Sequence, residues 1–254
     1  MKITFLGTGT SQGIPVIACE CEVCRSLDYR DKRLRTALHI DTGQTSLIID
    51  VGPDFRQQVL RERINRLDAI LITHEHKDHT AGLDEVRSFN FKQKKDMPVY
   101  GRPSVLNQLR SEYQYIFGNH DYPGLPRIQL HEIENRPFQI NELTITPVEV
   151  MHYKLPVYGY RINNFAYITD AKTIPDKEKE KLRGLDVLVL NALQRRPHIS
   201  HLTLDEALAL SAELKPGFTW LTHLSHTMGL SRDVAPLLPD NVALAYDGLQ
   251  LTLD

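Results

Sequence analysis

Histidine and aspartate are concentrated in the segment Thr73–His79, which directly follows an apolar run. The segment reads Thr-His-Glu-His-Lys-Asp-His, so three imidazoles and the carboxylate of Asp78 fall within six residues. The preceding run, Leu67–Ile72, is typical of a buried strand, and side chains just past a strand end can converge because the chain turns there. Imidazole and carboxylate groups are ligands that divalent metal ions accept readily. The sequence therefore predicts a metal site at this strand end.

Two metal ions fit this segment better than one, because a single ion could not easily take all four side chains from so short a stretch. The alternative is a polar surface turn that is merely rich in histidine. The pattern His-x-His-x-Asp-His after an apolar strand is specific enough to favour metal binding over that alternative.

The segment resembles the signature of the metallo-β-lactamase superfamily, and further Asp and His residues follow in the order of that family. Each one ends a strand-like stretch: Asp50, His152, Asp170 and His223. Any one of them alone is better explained as a solvated or core residue, but together they favour the family. The resemblance extends from Phe5 to Gly248. It implies one α/β domain over residues 1–254, a four-layer αβ/βα sandwich with metals at one edge between two sheets.

The resemblance also implies a ligand set for two divalent ions, which would be zinc, manganese or iron. One ion would be held by His74, His76 and His152, and the other by Asp78, His79 and His223. Asp170 would bridge the two ions, and Asp50 would orient a ligand by accepting a hydrogen bond. A water or hydroxide between the ions would attack the substrate, since two ions about 3.5–4 Å apart can clamp an in-line displacement at phosphorus.

The three cysteines of the chain, Cys19, Cys21 and Cys24, form one Cys-x-Cys-x-x-Cys segment. Thiolates at this spacing can share a zinc ion, but a structural site needs a fourth ligand, for which His226 is the candidate. A redox pair or plain buried thiols are the alternatives, and a disulfide framework fits poorly because the number of cysteines is odd. With the preceding stretch Gly7–Pro15, the segment resembles the superfamily's phosphodiesterases of the carbon–phosphorus lyase pathway. Those enzymes act on cyclic ribose phosphates and carry a structural zinc beside a two-metal centre.

A proton donor is expected at such a site, because the alkoxide that leaves a phosphodiester is a strong base. His201 matches the histidine found at this point in the phosphodiesterase branch and is the predicted donor, and His198 is its rival. With Asp78 and Asp170, His201 completes the predicted catalytic residues. The first hypothesis for function is therefore metal-dependent hydrolysis of a small phosphodiester, which includes cyclic ones.

Two other functions remain open. Nucleases that process the 3′ end of tRNA share this ligand pattern, but they carry a long protruding arm, and only seventeen residues separate His152 from Asp170 here. The second alternative is a non-hydrolytic metal-binding accessory protein of cofactor synthesis. The complete ligand set argues against it, because non-catalytic relatives often lose ligands.

Composition limits the partners. The formal net charge is −2 and the pI is near 6.6, so no basic field attracts nucleic acid. No apolar stretch approaches the ~20 residues of a membrane helix, and the start of the chain has too short an apolar part for an export signal. We therefore expect a cytoplasmic enzyme with a small-molecule substrate and no membrane partner. The sequence does not decide between a monomer and a homodimer.

The remaining pattern alternates helices with strands. Helices are predicted over 54–63, 82–91 and 104–116, and Thr203–Glu206 is a capping box that opens a helix to Leu214. Strands are predicted over 187–191, 242–246 and 249–253. The turn-rich segment 118–124 is either a lid or a surface excursion.

Overall fold

Two mixed sheets of seven strands each form the centre of the computed structural model, which describes residues 1–118 and 122–253. The first sheet contains, in spatial order, β14 (Gln250–Thr252), β1 (Lys2–Gly7), β2 (Ala37–Asp41), β3 (Ser46–Ile49), β4 (Ala69–Leu71), β5 (Met97–Gly101) and β6 (Ile128–Glu132). The second contains β13 (Val242–Leu244), β12 (Phe218–Thr222), β11 (Val187–Asn191), β10 (Phe165–Ile168), β9 (Leu155–Ile162), β8 (Leu143–His152) and β7 (Phe138–Ile140).

Helices flank both sheets. The α-helices of the described residues are α1 (Glu22–Arg25), α2 (Phe55–Arg61), α3 (Lys77–Thr80), α4 (Arg87–Gln93), α5 (Pro103–Glu112), α6 (Gln114–Phe117), α7 (Asp176–Lys179), α8 (Leu204–Leu214) and α9 (Ser231–Val234). Short 3-10 turns occupy Tyr29–Asp31, Leu83–Val86, Glu180–Leu182, His226–Met228 and Ala235–Leu237. None of the helices in this part of the chain is long and apolar enough to cross a membrane.

The layers follow from the two-residue period of the strands. Leu47 and Ile49 of β3 belong to the core between the sheets, whereas Ile48 packs among the helices outside the first sheet. In β11, Val187 and Val189 face the inner core and their neighbours face α8. Because both faces of these strands are covered, the strand sequences are continuous apolar runs. The predicted four-layer αβ/βα sandwich is thereby confirmed.

Strand direction explains where the site lies. The strands from β3 to β6 are parallel, as are those from β10 to β13. Strand β8 runs in the same direction as β10, because both are antiparallel to β9. The residues after β3, β4, β10 and β12 and at the end of β8 therefore lie at one edge of the sandwich. These positions are where the sequence places Asp50, the His74–His79 segment, His152, Asp170 and His223.

Several predicted elements need correction or refinement. The predicted helix over 104–116 is interrupted at Tyr113 (φ −106, ψ 44) and becomes α5 and α6. The buried Tyr113 side chain donates to the carbonyl of Thr80, a tertiary contact that helical periodicity could not reveal. The predicted helix over 82–91 begins as a 3-10 turn, and the strand predicted over 242–246 ends at Leu244. Residues 119–121 of the 118–124 segment lie outside the described residues, so its role as a lid or a surface excursion stays a prediction.

The capping box is confirmed. The Thr203 side chain accepts from the backbone N–H of Glu206 at 3.2 Å, and the Glu206 carboxylate accepts from the backbone N–H of Thr203 at 2.8 Å. These two bonds satisfy N–H groups that the first turn of α8 would otherwise leave unpaired. They also fix the N-cap of α8 two residues after His201.

Candidate metal centre

The structure brings all seven predicted ligands together at the shared edge of the two sheets. Donor atoms lie within 4.8 Å of one another in each of three overlapping groups: His74, His76 and His152; Asp78, His79 and His223; and His74, His79 and Asp170. Four of the donors follow β4 of the first sheet, whereas the other three come from β8, β10 and β12 of the second sheet. The cluster therefore spans the boundary between the sheets.

Close backbone contact holds the histidine segment against the end of β3. The backbone N–H of Val51 donates to the carbonyl of His79 at 2.8 Å. A Cβ atom on Gly52 would lie 2.0 Å from the carbonyl oxygen of Asp78, far inside any real contact. Only glycine allows this approach, which places Asp78 and His79 beside the β3 end.

A buried hydrogen-bond network surrounds Asp50. Its carboxylate accepts from Nδ1 of His79 at 2.7 Å, from the backbone N–H of Thr73 at 2.9 Å and from the Thr73 hydroxyl at 2.9 Å. The Thr73 hydroxyl also lies 2.9 Å from Nδ1 of His74. The structure thus places Asp50 where the sequence predicts an orienting residue, in contact with His79.

Asp170 lies between imidazoles of the cluster. Its Oδ2 is 3.3 Å from Nε2 of His79, and its Oδ1 is 3.3 Å from Nε2 of His223. The Thr169 hydroxyl donates to Oδ2 at 2.6 Å. Asp78 lies on the same side, with Oδ2 3.1 Å from Nε2 of His79. An oxygen of Asp170 also lies within 4.8 Å of ring nitrogens of His74 and His79, one from each predicted ligand set, as expected of a bridging carboxylate.

Three residues at the strand ends have left-handed backbone conformations. The φ angles are 65° at Asp50, 57° at Asp170 and 57° at His223. Non-glycine residues in this region cost roughly 1–3 kcal/mol each and persist only where the surroundings over-determine them. Strain at three residues of one cluster is typical of a functional site.

The buried polar atoms test whether these residues fit a metal ion. The Nε2 atoms of His79 and His223 are buried and have no hydrogen-bond partner among the described residues. Leaving such atoms unpaired is costly. Imidazole nitrogens beside carboxylate oxygens are the donor set that borderline divalent ions prefer. The residues therefore fit a metal ion, and divalent metal binding is what the fold implies.

Electrostatics point the same way. Burial would lower the pKa of His79, but the carboxylates of Asp78, Asp170 and Asp50 outweigh it and hold that pKa well above its ordinary value. Burial would raise the pKa of Asp170, yet the imidazoles of His223 and His79 hold it well below its usual range. A buried cluster that stabilises positive charge so strongly is suited to a cation.

His201 packs against two histidines of the cluster, whereas His198 packs against His201, farther from the cluster. The His201 ring centroid is 4.6 Å from that of His152 and 4.9 Å from that of His223, and its Nδ1 lies 3.7 Å from Asp170 Oδ1. His198 lies 5.1 Å from His201, centroid to centroid, and is half-buried. Burial and the neighbouring His223 lower the pKa of His201 to about 3. An anionic phosphate beside the ring would favour its protonated form.

Two supporting groups are missing from the sequence-based prediction. Nδ1 of His152 donates to the backbone carbonyl of Ser200 at 2.9 Å, so the loop before His201 orients this imidazole. A main-chain carbonyl leaves no signal in the sequence. Thr73 does leave one: it is a polar residue between an apolar strand and His74, and it is fully buried.

The three cysteines meet His226 in a second cluster. Nδ1 of His226 lies 3.2, 3.4 and 3.6 Å from the sulfurs of Cys19, Cys21 and Cys24. A tetrahedral zinc with Zn–S of about 2.3 Å and Zn–N of about 2.0 Å has edges of about 3.5 Å, which these distances match. All three cysteines are free, so a disulfide is not formed.

Backbone N–H groups point at the sulfurs of this cluster. Val16 N–H donates to Cys24 Sγ at 3.3 Å, and Cys24 N–H donates to Cys21 Sγ at 3.4 Å. Burial opposes ionisation of Cys21, but the Cys24 N–H and the His226 ring lower its pKa to about 6. Burial raises the pKa of Cys24 to about 11. One thiol is therefore ready to ionise, as metal ligation requires.

A family model described as the beta-lactamase superfamily domain matches residues 45–224. The match includes all seven predicted ligands together with Asp50 and His201. The cysteine cluster lies outside the matched range, because its three cysteines precede residue 45 and His226 follows residue 224.

Known proteins extend the match beyond that range. A solved structure described as a new diphosphatase from the PhnP family is 38% identical, with a TM-score of 0.93 over 100% of this chain and 98% of that one. An octanoyltransferase of Porphyromonas gingivalis is 40% identical over 258 residues, which cover 100% of this chain and 52% of that protein. A ribonuclease Z of Staphylococcus epidermidis is 27% identical over 169 residues, covering 64% of this chain and 49% of that protein. This chain thus matches about half the length of the two curated relatives.

Proposed function

The chain belongs to the metallo-β-lactamase superfamily of hydrolases and, within it, to the PhnP family, and we propose its function from this membership. We propose that the chain hydrolyses a small phosphodiester at a centre of two divalent metal ions. One observation carries the proposal: a carboxylate oxygen of Asp170 lies within 4.8 Å of ring nitrogens of His74 and His79, which belong to different predicted ligand sets, inside a cluster of seven donor residues. A carboxylate placed in this way is suited to bridge two ions.

The ligands divide between the two positions. One ion would be held by His74, His76 and His152, the other by Asp78, His79 and His223, with Asp170 shared. When bound, two divalent ions supply Lewis acidity and a water of lowered pKa, which is the chemistry that phosphodiester hydrolysis requires. Zinc, manganese and iron all suit the donor set.

The other residues of the site orient groups and move a proton. Asp50 accepts the Nδ1 proton of His79, and the Ser200 carbonyl accepts that of His152, so both rings turn Nε2 towards the cluster. His201 presents Nδ1 to Asp170, and its Nε2 would give a proton to the leaving oxygen. His198 lies farther from the cluster and is the weaker candidate.

The length of the chain between two ligands favours a small substrate. Residues 153–169 form the β8–β9 turn, strand β9, a second turn and strand β10. This stretch forms no protruding arm of the kind that the sequence argument associates with tRNA processing. The ribonuclease Z match keeps a nuclease as an alternative, because the donor set would serve RNA equally well.

A second candidate is hydrolysis of a diphosphate, favoured by the PhnP-family structure that is described as a diphosphatase. The same donor set can act on a phosphorus–oxygen–phosphorus link. A phosphate leaving group is less basic than an alkoxide, so the need for His201 would be smaller. Dependence on His201 therefore separates the two candidates.

The cysteine cluster completes the proposal. Cys19, Cys21, Cys24 and His226 would hold one structural zinc, because their spacing matches a closed tetrahedral site. Such a site has no open position for a substrate. It would join the loop of residues 16–26 to the loop after His223.

Hydrolysis assays on metal-free and reloaded protein test the function. Bis(p-nitrophenyl) phosphate, a nucleoside diphosphate and a tRNA precursor would each be offered with zinc, manganese or iron. We expect the small diester to be cleaved in the presence of metal only. Faster cleavage of the tRNA precursor would favour the nuclease, and faster cleavage of the diphosphate would favour the second candidate. No metal-dependent cleavage of any of them would favour the non-hydrolytic alternative.

A further inference from the structure

We infer that Asp50 and Thr73 form one positioning unit that makes the two metal positions interdependent. The inference rests on the proposed two-metal centre and goes beyond it, because it assigns Thr73 a role and predicts how the ions bind. Both residues are fully buried, and neither would contact a metal ion or the substrate.

The hydrogen-bond donors around Thr73 can be assigned from its chemistry. Its single hydroxyl proton is directed to Asp50, whose Oδ2 lies 2.9 Å away. The hydroxyl oxygen lies 2.9 Å from Nδ1 of His74 and must then accept a hydrogen bond from Nδ1–H, since a hydroxyl has only one proton to donate. His74 is thereby held with its proton on Nδ1, which leaves Nε2 unprotonated and 3.0 Å from Nδ1 of His76.

Asp50 holds His79 in the same way. Nδ1 of His79 donates to Oδ2 of Asp50 at 2.7 Å, which leaves Nε2 of His79 facing Asp78 and Asp170 at 3.1 and 3.3 Å. His74 belongs to the first predicted ligand set and His79 to the second. One carboxylate therefore sets the tautomer of a ligand in each set, directly for His79 and through the Thr73 hydroxyl for His74.

The unit has little freedom to adjust one ligand alone. The backbone N–H of Asp50 donates to Leu71 at 2.9 Å, and the next residue, Val51, donates to the carbonyl of His79 at 2.8 Å. The backbone N–H of Thr73 also donates to Asp50 Oδ1 at 2.9 Å. Oδ2 contacts His79, and both oxygens contact the Thr73 hydroxyl, at 2.9 and 3.1 Å. Because one carboxylate holds both groups, a rotation that improves one imidazole displaces the other. An ion that fixes His74 therefore prepares His79 for the second ion, and the reverse.

Removal of the Thr73 hydroxyl tests this coupling. Thr73→Val keeps the shape of the side chain but leaves Nδ1 of His74 without its acceptor, whereas Thr73→Ser keeps the hydroxyl. Thr219→Val is the matched control, because Thr219 is also fully buried and its hydroxyl bonds Ser211 at 2.7 Å, away from the cluster. Loss of such supporting groups typically weakens metal binding about 10–100-fold.

The experiment measures how the metal-free full chain takes up zinc and cobalt. Calorimetry monitors the uptake, and elemental analysis gives the total metal content. Sulfur-to-cobalt charge-transfer absorption identifies the ion at the cysteines separately. We expect two further ions to bind cooperatively to the wild type, the Thr73→Ser variant and the Thr219→Val variant. In the Thr73→Val variant both stepwise association constants for the metal ions should fall about tenfold or more. Its metal-free form should unfold at a temperature close to that of the metal-free Thr219→Val variant.

Two results would overturn the inference: unchanged metal affinities in Thr73→Val, or a fall in only one of the two constants. The second result would mean that the positions are independent. A wild-type chain that takes up fewer than two ions beside the cysteine site would instead refute the two-metal centre itself. That outcome is measured on the wild-type chain alone. A failure of the proposed two-metal centre can therefore be distinguished from a failure of the proposed coupling.

Discussion

His223 and His226 lie three residues apart and belong to different clusters. Nε2 of His223 is 3.3 Å from Asp170, whereas Nδ1 of His226 is 3.2 Å from Cys19. Between them, the N–H of Leu224 donates to Thr8 and that of Ser225 donates to Leu193, at 2.9 and 3.0 Å. A short, fully bonded segment therefore links the predicted hydrolytic centre to the predicted structural zinc.

The first prediction concerns the cysteine cluster. Cys21→Ser removes a thiolate ligand, so zinc content should fall by one equivalent and the melting temperature by about 5 °C or more, because a structural ion contributes directly to folding free energy. The turnover of protein that is still folded should change much less. Differential scanning calorimetry with metal analysis provides the measurement. An unchanged melting temperature despite the lost zinc would show that the ion does not hold the fold.

The second prediction concerns Asp170, the proposed bridging carboxylate. Asp170→Asn removes the negative charge between His79 and His223 and should lower both metal content and metal-dependent turnover about 100-fold or more. Asp240→Asn changes an exposed aspartate after α9 and serves as the control. Turnover and metal content are measured on the same samples. Near wild-type turnover in Asp170→Asn would place catalysis elsewhere.

The third prediction separates proton donation from binding. General acid catalysis is worth about 10²–10⁴-fold where the leaving group is basic. His201→Ala should therefore depress hydrolysis of alkyl diesters far more than that of nitrophenyl diesters, because a nitrophenolate leaves without a proton. Metal content must be unchanged, since a lost ion would mimic a lost acid. Equal losses on both substrates would indicate phosphate binding or support of the fold, and a selective loss in His198→Ala alone would transfer the role to His198.

The fourth prediction concerns the contact between Gly52 and the histidine segment. The added methyl group of Gly52→Ala would lie 2.0 Å from the Asp78 carbonyl, so the segment must shift. Overpacking of this kind costs about 1–3 kcal/mol of unfolding free energy, and metal affinity should fall with it. At Gly43 a Cβ would meet nothing within 4 Å, but φ is +85°, so Gly43→Ala reports the cost of a left-handed backbone without a clash. Denaturant unfolding and metal titration of both variants give the comparison. A Gly52→Ala variant with wild-type stability and metal affinity would contradict the steric explanation.

The fifth prediction concerns the start of α8. Thr203→Ala removes the side-chain half of the capping box and should cost about 1 kcal/mol of unfolding free energy. Thr203→Asp should recover most of it, because Asp is also a good N-cap residue. Urea titrations measure both values. A cost that Asp does not recover would mean that the Thr203 methyl group, rather than the cap, is important.

The sequence was most informative where an apolar run ends in Asp or His. Asp50 and Asp170 follow short, fully buried strands, and the structure places both at the shared edge. The predicted strand over 187–191 and the helix that opens at Thr203 have the observed bounds, because a strong apolar run and a capping box mark them locally.

Other parts of the molecule carry no comparable local signal. Strand β9 contains Pro156 and Gly159, residues that normally argue against a strand, and it forms through its pairing with β8 and β10. The carbonyl of Ser200 that orients His152 is a main-chain group, which every residue type possesses, so the sequence does not mark it. Such contacts exist only once distant segments meet, so a local pattern cannot predict them.

The division of the donor residues between the two sheets has a consequence for how activity arises during synthesis. The histidine segment after β4 belongs to the first sheet, and His152, Asp170 and His223 belong to the second. A growing chain whose first half alone has emerged possesses only part of the donor set. We therefore expect the proposed metal centre, and any hydrolysis that it performs, to form only once both sheets are present.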